Sequence, residues 1–265
     1  LAALVERAAE GEAPAFQLEV DTGMGRAGFD WREASAWGPL AREAHEAGAA
    51  WTGCYTHLHS ADEDAVSVRE QSRRFGEALD RLPVPEGTFR RHLLNSAGAF
   101  RTPELALDLV RPGIFLYGGS VGEGLPEPAP VASVRGRVVH LKEARKGDTV
   151  GYGATHVAGG PERWATVALG YGDGLPRSLG NRGSALVHGH RVPIVGRISM
   201  DVTVVDISSA PSVSLGEVVT FLGCDGDARI TVDEVAEVAG TISYEILTGF
   251  TARVPRVWED DGHGS

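Results

Sequence analysis

Residues 18–29 have the sequence Leu-Glu-Val-Asp-Thr-Gly-Met-Gly-Arg-Ala-Gly-Phe. An alternating apolar stretch runs into Asp21 and Thr22 and then into a turn in which three glycines surround Arg26. Glycine lets a backbone turn sharply and approach a ligand closely, and the planar guanidinium of arginine can bind a carboxylate through two parallel hydrogen bonds. A strand that ends in such a turn is typical of an anion-binding loop at the mouth of an α/β barrel.

The first part of the chain alternates between strand-like and helix-like segments. The strand-like segments are residues 16–20, 51–57, 90–94 and 109–117, and the helix-like segments are residues 31–47, 64–81 and 103–107. This alternation predicts βα units and a parallel sheet. Four such units make half of an eight-stranded barrel, so we expect an α/β fold in residues 1–127, the C-terminal half of a TIM-like (β/α)8 barrel. Because half a barrel would expose its strand edges, and because Leu1 lies inside a helix-like segment, we expect the other half to be encoded upstream.

A proline-rich segment at residues 123–130 separates this part from a different pattern. Short β-type segments follow, punctuated by Gly, Asp and Asn, at residues 132–141, 164–169, 184–188, 191–195, 202–207 and 217–222. They predict an all-β, barrel-like second domain in residues 128–265. One late helix is marked at its start by Thr231 and Glu234, which fit a capping box, and at its end by Gly240.

Composition limits the possible partners. The 265 residues contain 25 Lys and Arg against 36 Asp and Glu, a net charge of −11, which argues against binding to nucleic acid. No apolar run approaches the ~20 residues of a membrane span. The two cysteines, Cys54 and Cys224, lie in apolar strand-like segments, so we expect free core thiols in a reducing, cytoplasmic compartment.

Two histidines follow the second strand-like segment, in Tyr55-Thr56-His57-Leu58-His59. They fit a solvated strand tip, a zinc pair on one strand face, or a His57 that orients another group. The sequence offers no convincing set of further ligands, so we expect no metal.

The last two strand-like segments lie where barrel enzymes usually bind phosphate. There Ser96 can donate its hydroxyl, and Gly113 and Ile114 can offer bare N–H groups. Arg111 emerges from an apolar strand at the same place. A rim ion pair would also suit it, but its position favours contact with a ligand.

The second domain contains two tyrosines that are each flanked by glycines, Tyr152 and Tyr171. The pattern around Tyr152 fits a reachable phenol and a surface turn equally well. An unassisted phenol is a weak base at neutral pH, so a catalytic role needs nearby positive charge or hydrogen bonds. The Tyr171 loop, and the turn that could offer the Met200 N–H, are each also typical of ordinary hairpin turns.

Taken together, seven motifs occur in the order found in one family. They are V-D-T-G-M-G-R (20–26), Y-T-H-L-x-x-A-D (55–62), N-S-A-G (95–98), R-P-G-I-x-L-Y-G (111–118), V-G-Y-G-A-T (150–155), G-Y-x-D-G-x-x-R (170–177) and G-R-I-S-M-D (196–201). In these motifs the chain resembles the alanine racemases, isomerases that use pyridoxal 5′-phosphate and combine an α/β barrel with a C-terminal β domain.

The resemblance implies a two-base interconversion of L-alanine and D-alanine for peptidoglycan, in a cytoplasmic homodimer with shared active sites. Tyr152 would take the α-proton of L-alanine in the partner's barrel. Arg111 would face the ring nitrogen of the cofactor, and His57 would link Arg111 to Tyr152.

The remaining roles implied by the resemblance concern binding. The residues that would contact the cofactor are Asn95, Ser96, Gly113, Ile114, Arg111 and His57. Arg26 and the Met200 N–H would hold the substrate carboxylate. Tyr171, Arg177 and Asp62 would line the access channel.

The chain departs from the family pattern at three points. The Schiff-base lysine, which is also the base for D-alanine, has no counterpart: Lys142 and Lys146 lie in the second domain. We therefore expect this chain alone to be inactive. Glu19 stands where the family usually has a lysine that is often carbamylated, and we expect Glu19 to hold Arg26 directly. Ala252 replaces a tyrosine that contacts the phosphate in many members.

Three other functions remain open at this point. One is a pyridoxal phosphate-dependent decarboxylase of the same architecture, which would need a cysteine-bearing loop and an acidic pocket that the sequence does not show. Another is a non-catalytic protein that keeps the cofactor-binding fold. The last is a metallohydrolase based on His57 and His59.

Overall fold

The computed structural model describes residues 1–11 and 14–258, and the chain divides into two compact units. Unit 1 consists of Leu1–Phe115 and Val121–Glu127, and unit 2 of Leu116–Ser120 and the residues from Pro128 onward. The helices of unit 1 are α1 (Ala2–Ala9), α2 (Ala34–Glu46), α3 (Ala65–Leu79) and α4 (Ser96–Arg101). Its strands are β1 (Phe16–Asp21), β2 (Phe29–Asp30), β3 (Trp51–Tyr55), β4 (Arg90–Asn95) and β5 (Leu109–Arg111).

Unit 1 is an α/β structure with one parallel sheet in the order β2-β1-β3-β4-β5. The strands carry fully buried apolar residues such as Val20 and Leu94, as expected of a parallel sheet that packs against helices. The helix α3 begins where the Asp64 carboxylate accepts a hydrogen bond from the Ser67 N–H at 2.7 Å. Its buried face contains Val68 and Phe75.

The last predicted strand of unit 1, residues 109–117, is shorter than expected. β5 ends at Arg111, and Ile114–Tyr117 form a 3-10 helix. The cause is Pro112, which has no N–H to donate to a neighbouring strand. The early end of the strand leaves the Arg111 side chain at the C-terminal end of β5, next to the following turn.

In its described residues, up to 258, unit 2 contains two helices, α5 (Val232–Ala239) and α6 (Ser243–Gly249). Its strands are β6 (Val134–Ala144), β7 (Thr149–Val150), β8 (His156–Val157), β9 (Glu162–Val167), β10 (Ser184–Val187), β11 (His190–Pro193), β12 (Thr203–Asp206), β13 (Val218–Asp225) and β14 (Ala228–Ile230). The main sheet has the order β11-β10-β13-β6-β9-β12, with β14 paired to β13, and β7 and β8 form a separate hairpin.

The main sheet of unit 2 closes on itself. An isolated antiparallel bridge joins Ile194, just after β11, to Val205 of β12, so the two ends of the strand order meet. Inward-facing residues such as Val167, Leu186 and Val219 form one continuous apolar core inside this barrel.

The predicted late helix is confirmed as α5. The Thr231 hydroxyl accepts a hydrogen bond from the Glu234 N–H at 3.1 Å, and Gly240 ends the helix in the left-handed conformation. The prediction of two core thiols is only half right: Cys54 is buried, but Cys224 is exposed near the end of β13. Among the helices of the described residues, none combines the length and the apolar character needed to cross a membrane.

Candidate active site

Polar side chains lie side by side at the strand ends of unit 1. The parallel register places Glu19 of β1 opposite Tyr55 of β3, and Tyr55 opposite His92 of β4. Residues in register on parallel strands point to the same face, so these three side chains form one row. Arg111 ends the next strand, β5, and completes a cluster of four.

The Arg111 guanidinium is held by hydrogen bonds from both terminal nitrogens. Nη1 donates to Nδ1 of His92 at 2.6 Å, and Nη2 donates to the backbone carbonyls of Thr56 at 2.7 Å and Leu93 at 3.4 Å. Its central carbon lies 5.2 Å from the centre of the Tyr55 ring. Burial lowers the pKa of Arg111 from its usual value. Within the described residues no carboxylate lies within 4 Å of this guanidinium. Arg111 therefore does not form the rim ion pair that the sequence also allowed.

The His92 ring has a defined proton arrangement. Its Nε2 lies 2.7 Å from Oε1 of Gln17, an oxygen that can only accept, so Nε2 carries the hydrogen and Nδ1 is free to accept from Arg111. The ring also stacks on Tyr55 with 5.1 Å between centres and 3° between planes. Burial first, and then the charge of Arg111, lower the pKa of His92. His92 is therefore a neutral acceptor that orients the guanidinium.

This arrangement predicts a pH-dependent stability. The pKa of His92, and that of His57, lie below the ordinary value of 6.5, so the unfolded chain binds more protons than the folded chain near that pH. The stabilisation is therefore present above about pH 6.5 and is lost as the pH falls through the lower pKa of the folded state. We expect the free energy of unfolding, measured with urea, to decrease from pH 7 to pH 5. His92→Phe keeps an aromatic ring beside Tyr55 but cannot titrate, and it should reduce this slope. An unchanged slope would contradict the assignment.

The partner of Arg111 differs from the sequence-based expectation. The resemblance assigned the link to His57, but the hydrogen-bonding imidazole is that of His92. The reason is strand order: His92 lies on β4, which pairs with β5, whereas His57 lies beyond the end of β3. In the part of the chain that the structure describes, the His57 ring makes no hydrogen bond. Its pKa is lowered by burial and then by the charges of Arg26 and Arg111.

The expected ion pair between Glu19 and Arg26 is also absent: among the described residues, none joins them within 4 Å. Glu19 accepts a hydrogen bond from the Tyr55 hydroxyl at 3.3 Å instead, because the sheet register places these two side chains side by side. Burial and the Glu19 charge raise the pKa of Tyr55. The exposed Arg26 guanidinium has neither hydrogen bond nor ion pair in residues 1–11 and 14–258, so it is free to bind an anion.

The predicted phosphate contacts lie around the start of α4. The sequence predicted that the Gly113 N–H would be without a partner. It instead donates a hydrogen bond to the buried Ser96 hydroxyl oxygen at 2.7 Å. The Ser96 proton has no acceptor among the described residues and can donate onward. Asn95 caps α4 by accepting from the Gly98 N–H at 2.9 Å. Ile114 follows Gly113 and is itself buried.

Tyr152 of unit 2 is 70% exposed, so its phenol is reachable. Its two neighbouring glycines both have positive φ, 70° at Gly151 and 74° at Gly153, which side chains rarely adopt. The Arg197 guanidinium packs against Gly153, since a Cβ built there would lie 3.0 Å from its Nη1. Asn181 links the same loop to the next one: its Nδ2 donates to the Thr155 hydroxyl at 3.0 Å, and its Oδ1 accepts from the Gly196 N–H at 2.5 Å.

The loops of Tyr171 and Met200 are joined through their backbones. The Tyr171 N–H donates to the Ser199 carbonyl at 3.0 Å, and the Gly172 N–H donates to the Met200 carbonyl at 2.8 Å. Arg253 binds both loops through ion pairs with Asp173 and Asp201. The Met200 N–H itself donates no hydrogen bond within the described part of the chain.

Gly170 is the point at which these two loops meet. Its φ of −145° suits any residue, but a Cβ would lie 2.4 Å from the carbonyl oxygens of Ser199 and Met200. We expect Gly170→Ala to lower the free energy of unfolding by about 3 kcal/mol, because both obstructing atoms belong to the backbone. Gly160→Ala is the matched control, since a Cβ there meets no atom within 4 Å. Urea unfolding of both variants is the measurement, and equal stabilities would contradict the prediction.

The structure shows the surroundings of the two remaining predicted channel residues. Arg177 is exposed at the start of a 3-10 helix, Arg177–Leu179. Asp62 is exposed, and its backbone carbonyl accepts from Arg101 Nη2 at 2.7 Å.

Sequence reasoning missed several residues that support the site, among them Gln17, Tyr55, His92, Gln71, Asn181, Arg197 and Arg253. For His92 the signal was a titratable residue inside a buried strand. For Gln71 it was a polar residue in the apolar stripe of a helix.

No group of three or more His, Cys, Asp or Glu residues forms a metal-binding arrangement in the described residues.

Comparisons with known proteins agree with this architecture. The family model "Alanine racemase, N-terminal domain" matches residues 1–121, and "Alanine racemase, C-terminal domain" matches residues 131–258. The alanine racemase of Sorangium cellulosum is 44% identical over 250 residues, which are 92% of this chain and 65% of that protein.

Two solved structures are similar over nearly the whole chain. Alanine racemase from Bacillus anthracis with bound L-Ala-P has a TM-score of 0.86 and 35% identity, covering 97% of this chain and 69% of that one. Alanine racemase from Bartonella henselae with covalently bound pyridoxal phosphate has a TM-score of 0.81 and 32% identity, covering 96% and 68%. This chain thus spans about two thirds of the length of these relatives. With its barrel-type N-terminal unit and its C-terminal β unit, the chain belongs to the alanine racemase family.

Proposed function

We propose that this chain carries part of the active site of a pyridoxal 5′-phosphate-dependent alanine racemase, which supplies D-alanine for peptidoglycan. The observation that carries the proposal is the fixed Arg111 guanidinium at the end of β5, oriented by the neutral His92 ring. A permanently charged group beside the cofactor ring nitrogen keeps that nitrogen unprotonated, which suits racemisation.

The residues of unit 1 fit the cofactor. The Ser96 hydroxyl has a proton to donate, and the space at Gly113 is open, since a Cβ built there meets no atom within 4 Å. In our proposal Ser96, Asn95 and the turn at Gly113 and Ile114 bind the phosphate, and Arg111 faces the ring nitrogen. When bound, pyridoxal phosphate withdraws electrons from the α-carbon of an amino acid and makes its proton acidic.

Substrate binding is assigned to groups that have no hydrogen-bond or ion-pair partner among the residues that the structure describes. We propose that the free Arg26 guanidinium binds the alanine carboxylate, since this fork fits two carboxylate oxygens. The Met200 N–H is a second donor for the same group. Tyr171, Arg177 and Asp62 are proposed to line the access channel.

Proton transfer is assigned to Tyr152. Its exposed phenol, held between two glycines, can enter a site formed with another copy of the chain, which is why we propose a homodimer with shared active sites. Removing the α-proton of L-alanine is the step assigned to it. The role of His57 as a link between Arg111 and Tyr152 stays a prediction, as does the cytoplasmic location.

In the family, a lysine is both the second base and the covalent anchor of the cofactor. The lysines of this chain are not suited to either role. Residues 1–127 contain no lysine. Lys142, on β6, is paired with Asp148 at 3.3 Å and lies 5.0 Å from the centre of the Trp164 ring. We therefore keep the proposal that unit 1 is the C-terminal half of a barrel and that these residues alone are inactive.

The test is racemisation by the natural full-length protein supplied with pyridoxal phosphate. Circular dichroism follows the loss of optical activity from L-alanine and, in a second reaction, from D-alanine. We expect both to approach the same racemic mixture. Release of carbon dioxide would identify a decarboxylase instead, and no change in either enantiomer would refute the proposal.

A further inference from the structure

Gln71 is a polar residue inside the apolar face of α3. Its neighbours on that face, at helical spacing, are Val68, Phe75 and Ala78, and all four side chains are buried. Gln71 is only 1% exposed. A carboxamide in such a place lowers stability unless its donors and acceptor are paired, so its partners carry information about its role.

The partners of Gln71 belong to two loops at the strand ends. Its Oε1 accepts from the His59 N–H at 3.0 Å, and its Nε2 donates to the His57 carbonyl at 2.9 Å. The same Nε2 donates to the Thr22 hydroxyl at 3.0 Å. Because the two backbone partners are a fixed donor and a fixed acceptor, they set the orientation of the amide without ambiguity.

The link between the two loops is reinforced from both sides. The hydroxyls of Thr22 and Thr56 lie 2.7 Å apart, and both residues are fully buried. One turn further along α3, Arg74 donates to the Thr22 carbonyl at 2.8 Å. Buried hydrogen bonds of this kind are directional and hold both loops in one arrangement.

The two loops carry candidate ligand-binding groups. Arg26 follows Thr22 by four residues, and His57 is itself a partner of Gln71. Gln71 thus joins the loop that carries Arg26 to the loop that carries His57. Burial, and then the charges of Arg26 and Arg111, lower the pKa of His57. The spacing between the two depends on what joins the ends of β1 and β3.

We propose that Gln71 is a positioning residue for the substrate site: its carboxamide fixes the loop of Arg26 against the loop of His57. This inference rests on the proposed function, in which Arg26 binds the substrate carboxylate. Gln71 touches neither substrate nor cofactor in this scheme and acts through the two loops.

The test compares Gln71→Met with Val68→Ala in the full-length protein. Methionine has a similar volume but cannot form hydrogen bonds with the loops. Val68→Ala disturbs the same buried face but removes no hydrogen bond, because both side chains are apolar. We expect Gln71→Met to raise the KM for L-alanine roughly 10- to 100-fold with kcat changed far less, because a small displacement of a binding group has effects of this size. Val68→Ala should leave KM within about twofold, since its effect is on packing alone.

A second measurement does not depend on activity. Hydrogen exchange of the His59 amide should become at least about tenfold faster in Gln71→Met but not in Val68→Ala, because its acceptor is lost. If Gln71→Met fails to fold, Gln71→Glu replaces it, since it keeps the acceptor for His59 but loses the donors to Thr22 and His57. This variant should have a higher KM for L-alanine than the wild type, while the His59 amide should exchange as slowly as in the wild type.

The outcomes separate the two proposals. A wild-type protein without racemase activity would refute the proposed function. An active wild type combined with a Gln71→Met variant of normal KM and normal exchange at His59 would overturn the inference. The same KM increase in Val68→Ala would also overturn it, because the effect would then be one of packing.

Discussion

Tyr152→Phe is expected to lower kcat/KM for L-alanine by about 10³-fold, because it removes the group that we assign as the base while keeping the ring. The phenol is 70% exposed in its own chain, so the loss of its hydroxyl leaves no buried partner unpaired. The free energy of unfolding should therefore stay close to that of the wild type. Initial rates by circular dichroism, together with urea unfolding, measure both quantities.

The matched control for this experiment is Tyr117→Phe. Tyr117 ends the 3-10 helix Ile114–Tyr117 and is 63% exposed, but it is not part of the proposed site. Its replacement should leave kcat/KM within about twofold, as is usual for a surface substitution. Wild-type activity in Tyr152→Phe would remove the proposed base, and equal losses in both variants would show a general effect of removing exposed hydroxyls.

The local signals in the sequence were sufficient for much of the fold. Helix α5 was predictable because Thr231, Glu234 and Gly240 act within a few residues of each other. The β-rich character of unit 2 followed in the same way from short apolar segments separated by turn residues. These features need no knowledge of which strands become neighbours.

The details of the site depend on strand order and register, which the sequence pattern does not supply. Arg111 pairs with His92 rather than His57 because β4 lies between β3 and β5. Glu19 accepts a hydrogen bond from Tyr55 instead of pairing with Arg26, because the register between β1 and β3 places Tyr55 opposite Glu19. At Pro112 the local pattern itself is misleading, because the apolar segment continues where the strand has to end.

Arg111→Ala is expected to have the largest combined effect on stability and activity. It leaves the carbonyls of Thr56 and Leu93 and the Nδ1 of His92 without their donor. Unpaired polar groups in a part-buried site should lower the free energy of unfolding by about 2 kcal/mol. Activity should fall by at least about 10²-fold, because the charge beside the cofactor ring nitrogen is removed.

Arg111→Lys separates charge from geometry. Lysine keeps the positive charge but cannot donate from a planar fork to an imidazole and a carbonyl at once. We expect it to recover part of the stability and little of the activity, since the direction of the donors matters as well as the charge. The control is Arg91→Ala, which breaks an exposed ion pair with Asp108 in the same sheet and should change both quantities little. Full activity of Arg111→Lys, or an equal loss in Arg91→Ala and Arg111→Ala, would contradict this prediction. The hydrogen bond from Arg111 to His92 would then not be what orients the positive charge toward the cofactor.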